Sequence, residues 1–416
     1  MIVYKFGGAS VKDADGVRNL AKIVNSCQEN LIVVISAFGK TTNSIEDLIA
    51  ANVSDTELLN HRFNKLKEYH IDIINNLFSD KDHRVFYKAN NLFDKLYNII
   101  TDKSNIEFDI KYDQTVSLGE IISTIIVSEY LNFISINNLW IDIRKNIITD
   151  NTYREGNVDW NLTRKKVKLE FIGDESIYIT QGFIAGTIKG DTVTLGLEGS
   201  DYTASILANI LNAKKVVVWK DVPGVLNADP RYFEKTQKLN KISYQEAVEL
   251  AFFGAKVIHP KTIKPLQNKE IPLIVKSFIE PDDDGTYIHT FDKYLEETPI
   301  FILKKEQMLI SFFPKDMSFI IEKSLCRIMN HLLENKIKIN LVQSSAVSFS
   351  FCVDNSNSKI YNLLKKLNLE FQILYNDNLE LLTVRHYSSK NIDEIKKDKK
   401  IYIEQKSRHT AQFVYK

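Results

Sequence analysis

Short β-branched apolar runs recur along roughly the first 290 residues, and each gives way to glycine or another small residue before a helical periodicity takes over. The clearest are 2–6 (IVYKF) and 31–36 (LIVVIS), and 138–143 (NLWIDI), 176–184, 214–219 (KKVVVW) and 272–276 continue the series. Helical patterns lie between them, notably at 119–132, 200–212 and 244–253. This alternation predicts an α/β fold with a largely parallel sheet, whose ligands sit beyond the carboxyl ends of the strands. Residues 55–105 differ, reading as two or three charged amphipathic helices and thus as a helical insertion over the sheet.

After Pro281–Gly285 (PDDDG) the texture changes. Strand-like stretches at 307–313, 337–343, 346–353 and 380–385, with a helix at 318–335, predict a separate small α+β region. The segments ISFFPKDMSF and LLTVRHYSSK echo one another, each an apolar strand entering a polar turn, as two copies of one unit would. The chain, at 416 residues, is also too long for one ordinary core. Domains over 1–297 and 298–416 are therefore expected.

Charge narrows the function. Lys and Arg number 54 against 53 Asp and Glu, a net charge of +1, which leaves no global field for nucleic acid or an anionic membrane. Phosphate chemistry, if present, must use local charges. Cys27, Cys326 and Cys352 are odd in number and lack metal-like spacing, which favours a reducing cytoplasm. The MIVYKFGGAS start lacks a signal peptide's apolar run, and no later segment stays apolar for the width of a bilayer, so neither export nor membrane spanning is expected.

Several loops carry candidate chemistry. Lys5 closes the first strand and Gly7, Gly8 and Ser10 follow, so that backbone N–H groups and the next helix's positive end could meet phosphate oxygens. Two glycines alone fit a plain tight turn equally well. SAFGKTTN (36–43) puts small and hydroxyl-bearing residues at a strand's carboxyl end, with Thr42 or Asn43 as a helix cap, a ligand contact, or both. SLGE (117–120) is expected to place Glu120 in the first turn of a helix, where it either balances the dipole or pairs with an ammonium group.

The glycine-dense run 181–204 ends in Ser200, Asp201, Tyr202 and Thr203, which open a helix. An anion pocket at a helix start, with an acid suited to orienting a lysine or metal, is the reading. WKDVPGVLNADPR (219–231) carries two Pro-containing turns and reads as a rigid loop or a nucleotide platform. GAKVIHPKT (254–262) supplies Lys256, while His259, with no carboxylate or cysteine at motif distance, reads as a capping or packing histidine.

Together these segments resemble the aspartate kinase branch of the amino acid kinase family from residue 2 to about 290. The resemblance rests on KFGGAS, SAFGKTTN, SLGE, QGFIAGT with LGLEGSDYTA, WKDVPGVLNADPR, GAKVIHPKTIKP with IPLIVKSF, and the closing GTYI. Beyond about 298 the chain is similar to that family's paired ACT regulatory domains, most clearly in IKINLVQSSAVSFSF, with the second unit abbreviated. The resemblance implies a carbamate kinase-like three-layer α/β/α sandwich bearing an ACT region. It implies phosphorylation of the β-carboxylate of L-aspartate by ATP with Mg²⁺, the first step toward lysine, threonine and methionine, in a cytoplasmic homodimer joined through ACT domains. No protein ligand for the metal is assigned.

By the same resemblance, Lys5 and Lys256 neutralise the transferring phosphoryl group and Asp201 holds Lys5. Gly7, Gly8 and Ser10 line the phosphates, and Lys220, Asp221, Arg231, Lys256 and Val257 fall at the nucleotide. Thr42, Glu120, Phe183, Gly199 and Ser200 fall at aspartate, with Glu120 on its α-ammonium. The chemistry is consistent, because the acceptor carboxylate is ionised near neutral pH and needs no general base.

The chain departs from the family pattern at Ala9 and, more seriously, at Leu197 and Glu198, where LGRGGSD is usual. The family's arginine there pairs with aspartate's α-carboxylate, a contact no apolar side chain replaces. Another base, Arg144 or Arg154, is expected in its place, or a reduced affinity. Lys220 and Leu226 replace the usual Thr and Tyr, so base and ribose contacts are expected to differ. Asn340 and Ala346 replace acids of lysine-inhibited members, so weak or absent lysine feedback is expected. The alternatives are a kinase for another acid of the same family and an inactive amino-acid sensor.

Overall fold

A computed structural model describes residues 1–51, 56–102, 104, 106–171, 176–255, 258–291, 298–315, 322–355 and 358–416. They form two units. One comprises 1–225, 238–251 and the described part of 256–295, and the other 226–237, 252–255 and the described part of 296–416.

The first unit opens with β1 (Ile2–Phe6), α1 (Ala14–Asn25), β2 (Leu31–Ile35) and α2 (Thr41–Ala50). The long helices α3 (Thr56–Leu77), α4 (Arg84–Thr101) and α5 (Phe108–Phe133) follow. Next come β3 (Leu139–Ile141), β4 (Ile148–Thr149), α6 (Trp160–Glu170), β5 (Ile177–Gln181), β6 (Ile184–Thr187), β7 (Thr192–Thr194) and α7 (Gly199–Leu211). The series ends with β8 (Val216–Lys220), β9 (Lys241–Ser243), α8 (Tyr244–Phe253), α9 (Pro260–Gln267), β10 (Leu273–Ser277) and β11 (Thr286–His289).

The main sheet runs β3-β5-β2-β1-β8-β10-β11-β9, parallel except between β10 and β11. Central parallel strands are covered on both faces, which is why β2 (LIVVI) is apolar and buried at every position. From β1 the chain moves to β2 on one side and reaches β8 on the other. The carboxyl ends of these three strands therefore frame a switch-point crevice. The strand expected over 176–184 is two strands, because Phe183 takes a left-handed φ of 69° and turns the chain between β5 and β6.

The second unit contains β12 (Ile300–Pro314), α10 (Glu322–Glu334), β13 (Ile339–Ser344), β14 (Phe349–Asp354), α11 (Ser358–Leu367), β15 (Phe371–Arg385), α12 (Ser389–Lys396), β16 (Ile401–Lys406) and β17 (Thr410–Tyr415). Its antiparallel sheet runs β13-β14-β12-β15-β17-β16. The two fifteen-residue strands β12 and β15 pair from Ile300 with Arg385 to Pro314 with Phe371, with register shifts between Lys304 and Leu309. Each is followed by a helix and a hairpin, which is the physical basis of the echo between ISFFPKDMSF and LLTVRHYSSK. One half buries Phe312, Ile328, Phe351 and Leu363, and the other buries Leu382, Val384, Ile392 and Phe413. Among the described residues no helix is long and apolar enough to cross a membrane.

Candidate active site

The switch-point crevice is lined first by charge. Lys5, near the carboxyl end of β1, places its Nζ 2.7 Å from Asp201 Oδ1 on the first turn of α7, with the two side chains 10% and 3% exposed. Burial disfavours ionisation of Asp201, but the positive charges of Lys5 and Lys220 outweigh it and hold the carboxyl below its ordinary range. Lys220 ends β8, whose Trp219 pairs with Phe6 of β1. A buried acid is thus paired with one cation and lies within the field of a second, at the ends of adjacent strands.

The loop after β1 is shaped by its glycines. Ser10 N donates to Gly7 O at 3.0 Å and Gly39 N to Gly8 O at 2.9 Å. A side chain at Gly8 would place its Cβ 2.6 Å from Ala37 O, so the loops after β1 and β2 lie backbone against backbone. The buried Ser10 hydroxyl lies 3.5 Å from Trp219 O, which ties the same loop to β8.

Glu120 does not stand in the first turn of a helix. α5 begins at Phe108, a full three turns earlier, so dipole compensation cannot explain this acid. It is buried, its Oε2 has no hydrogen-bond partner among the described residues, and burial raises its pKa to about 8 despite the Ala37 backbone hydrogen bond and the positive charge of Lys5. Such a carboxyl suits a cationic ligand group. Thr42 and Asn43 do not cap α2 either; Lys40 is the cap residue, and Thr42 is the second residue of the helix.

The remaining expected substrate residues gather at the start of α7. Gly199 and Ser200 open the helix, and Phe183 N donates to Thr203 Oγ1 at 3.1 Å while Leu195 N donates to Phe183 O at 2.8 Å. These bonds hold the left-handed turn at Phe183 against the helix. Glu198, the cap residue of α7, is also left-handed at φ 54°, a conformation that costs a side-chain-bearing residue roughly 1–2 kcal/mol. Leu197 is 75% exposed.

The two arginine candidates are unequal. Arg144 spends its Nε and Nη2 on Asp142, at 2.9 and 2.6 Å, and its Nη1 on Thr192 at 3.1 Å. Arg154 makes a longer 3.4 Å pair with Asp109 and lies 4.4 Å over the Tyr112 ring. Its backbone N donates to Asp113 Oδ2, which also accepts from Thr194 N, and its carbonyl oxygen lies against Gly196, next to Leu197.

Of the nucleotide candidates, Lys220 and Asp221 follow β8, whereas Arg231 lies in the second unit, gripped through Nε and Nη2 by Asp229. Lys256 and Val257 lie outside the described residues. His259 caps α9, accepting from Lys261 N at Nδ1. Sequence reasoning missed His70, a fully buried ring on α3 that contacts Thr41. A lone histidine in an amphipathic helix offered no signal beyond its place on the apolar face.

A buried Lys–Asp pair and a buried carboxyl thus lie at the switch point of the sheet. The amino acid kinase family model matches residues 1–277. Lysine-sensitive aspartokinase 3 of Escherichia coli (strain K12) is 32% identical over 369 residues, covering 86% of this chain and 79% of that protein. Aspartokinase 1, chloroplastic, of Arabidopsis thaliana is 30% identical over 85% of this chain and 63% of its own length. The structure of Escherichia coli aspartokinase III with aspartate and ADP matches with a TM-score of 0.85 at 26% identity, over all of this chain and 96% of that one. The chain belongs to the amino acid kinase family. Its place within that family is among the aspartokinases, and the match to their structure runs through its sheet-rich carboxyl-terminal region.

Proposed function

We propose that the chain transfers the γ-phosphoryl group of ATP to the side-chain carboxylate of L-aspartate, yielding 4-phospho-L-aspartate and ADP. The observation that carries this reading is the buried Lys5–Asp201 pair at the switch point, with Glu120 buried beside it and one of its oxygens unpartnered among the described residues. An aspartate carboxylate oxygen attacks the γ-phosphorus as the bond to the β,γ-bridging oxygen breaks, and the electron pair leaves on ADP. No proton moves in this step, so the residues act by positioning and charge neutralisation.

Lys5, held by Asp201, meets the charge on the transferring group, and Lys256 is assigned the same task. Backbone amides at Gly7 and Gly8 line the phosphates, while the Ser10 amide, spent on Gly7 O, shapes the loop rather than donating to them; Lys220, Asp221 and Val257 lie on the nucleotide side. Thr42, Phe183, Gly199 and Ser200 contact aspartate, and Glu120 receives its α-ammonium. With Arg144 committed to Asp142, the less committed Arg154 is assigned to the α-carboxylate. Mg²⁺ enters with ATP as part of that substrate, bound through phosphate oxygens.

We further infer a cytoplasmic homodimer joined through the second unit, where exposed Leu333, Val347, Tyr361, Leu374 and Tyr375 supply apolar surface to cover. Lysine feedback is expected to be weak. Asn340 already accepts from Lys304 Nζ at 2.7 Å and donates to Asp354 at 2.9 Å, so an internal cation occupies its acceptor. A coupled ADP-release assay over aspartate, glutamate, acetylglutamate and carbamate tests the reading. Aspartate is expected to be strongly preferred; turnover of another acid alone, or binding of aspartate without ADP release, would overturn it.

A further inference from the structure

Two consecutive side chains of α3 reach into the loops that carry the proposed site. Tyr69 Oη donates to the Lys12 carbonyl, between β1 and α1, and lies against Gly39 in the loop after β2. His70 is fully buried, its ring stacked on Phe38 at 5.9 Å and 16° and set edge-on to Phe93 at 5.3 Å.

The partners of His70 define its tautomer. Nδ1 lies 2.9 Å from the Leu66 carbonyl, which can only accept, so Nδ1 carries the proton. Nε2 is then an acceptor, and the Thr41 hydroxyl 3.2 Å away donates to it. Burial lowers the pKa of the ring to about 4, against the Leu66 bond that raises it, so this neutral form persists at physiological pH.

Thr41 joins the histidine to both halves of the amino-acid pocket. Its methyl lies so close to Gly119 that a Cβ there would sit 2.8 Å from Thr41 Cγ2. Glu120 follows Gly119, and Thr42 follows Thr41. The neighbouring backbone is tied in as well, since Thr41 N donates to Phe38 O at 2.9 Å and Phe38 N to Ser123 Oγ on α5, also at 2.9 Å.

We infer that His70 is a positioning residue for the amino-acid substrate: through Thr41 it fixes Thr42 and Glu120 relative to each other. The inference rests on the assignment of Thr42 and Glu120 to aspartate. The inserted helix thereby becomes part of substrate recognition without touching substrate.

Steady-state kinetics on the full chain test it. His70→Leu is expected to raise the KM for aspartate at least about tenfold, with kcat and the KM for ATP within about threefold. His70→Gln keeps an acceptor for Thr41 and a donor for Leu66, and is expected to recover most of the loss. Should His70→Leu fail to fold, Thr41→Val exchanges only the hydroxyl for a methyl of similar size and is expected to give the same KM-selective defect. An unchanged aspartate KM in folded variants, or a fall in kcat alone, overturns the positioning role. Glu120→Gln run alongside separates the two readings. A KM raised by Glu120→Gln but not by the His70 and Thr41 variants defeats the positioning role alone, and one raised by none of them defeats the assignment of this pocket to aspartate too.

Discussion

Asp201 and Glu120 are both carboxyl groups shut away from water in the same crevice, and they differ in what faces them. Asp201 lies 2.7 Å from a lysine and is held below its ordinary pKa, whereas Glu120 has an oxygen without a partner among the described residues and is pushed up to about 8. Burial disfavours both charges equally in kind, so the neighbour decides. On the proposed phosphate side, Lys5 and Asp201 are therefore already matched in charge before substrate arrives. On the proposed amino-acid side, a cation is what would return Glu120 to its charged form, and an α-ammonium group has the size and sign for that.

Breaking the matched pair is expected to have the largest effect. Lys5→Ala should lower kcat by about 10³-fold or more while the KM for ATP moves far less, since the lost interaction acts on charge developing in the transition state. Unchanged turnover in that variant would remove Lys5 from the mechanism. Next comes the proposed amino-acid side. At about pH 7 Glu120 holds a proton that the incoming ammonium must displace, so calorimetry in buffers of differing ionisation enthalpy should register release of about one proton per aspartate bound, absent in Glu120→Gln.

The same two acids should bend the stability of the substrate-free protein in opposite senses. Unfolded Glu120 ionises near its ordinary 4.5 and the folded group near 8, so between those values the folded state retains a proton that the unfolded state has lost. Stability from this group falls as pH rises through that window and levels off above it. The contribution of Asp201 is present above its ordinary value of 3.8 and is lost as pH falls below it. Denaturant titrations of Glu120→Gln should show a flatter profile between about pH 4.5 and 8 than the parent.

Smaller effects would sharpen the amino-acid side. Arg154→Ala is expected to raise the aspartate KM by about tenfold with little change in the KM for ATP, as loss of one charge-assisted contact would. Arg144→Ala should instead cost about 1–2 kcal/mol of stability with no selective effect on aspartate, because its guanidinium already serves Asp142 and Thr192. The reverse pattern would exchange their assignments. Smallest of all, Glu198→Gly should stabilise the protein by about 1 kcal/mol or less, as relief of left-handed strain is offset by glycine's extra backbone entropy.

The strands were legible because central parallel strands are buried on both faces and write themselves as unbroken β-branched runs, as in LIVVI. Lys5 and Asp201 were legible because each sits where a strand or helix terminus leaves a local signature. Glu120 was misplaced because the start of α5 is polar at Asp109, Lys111, Asp113 and Gln114, and hides the helix that SLGE lies inside. The break at Phe183 went unseen because a left-handed phenylalanine is held by Thr203 and Leu195, partners distant in sequence. His70 was invisible for the same reason: its meaning comes from Thr41, 29 residues away. The grouping of 226–237 with the second unit depends on long-range contacts that no local pattern encodes.

In the second unit, β12 and β15 run through both halves of one six-stranded sheet, each fifteen residues and thus about 50 Å from end to end. Two modules that share their central beams have no hinge between them. A load applied at one end must be carried as twist or shear along continuous strands, and the softest place for it to gather is the register shift near Lys304–Leu309, where the ladder is already interrupted. In mechanical terms the paired β12 and β15 make a torsion bar notched near its middle.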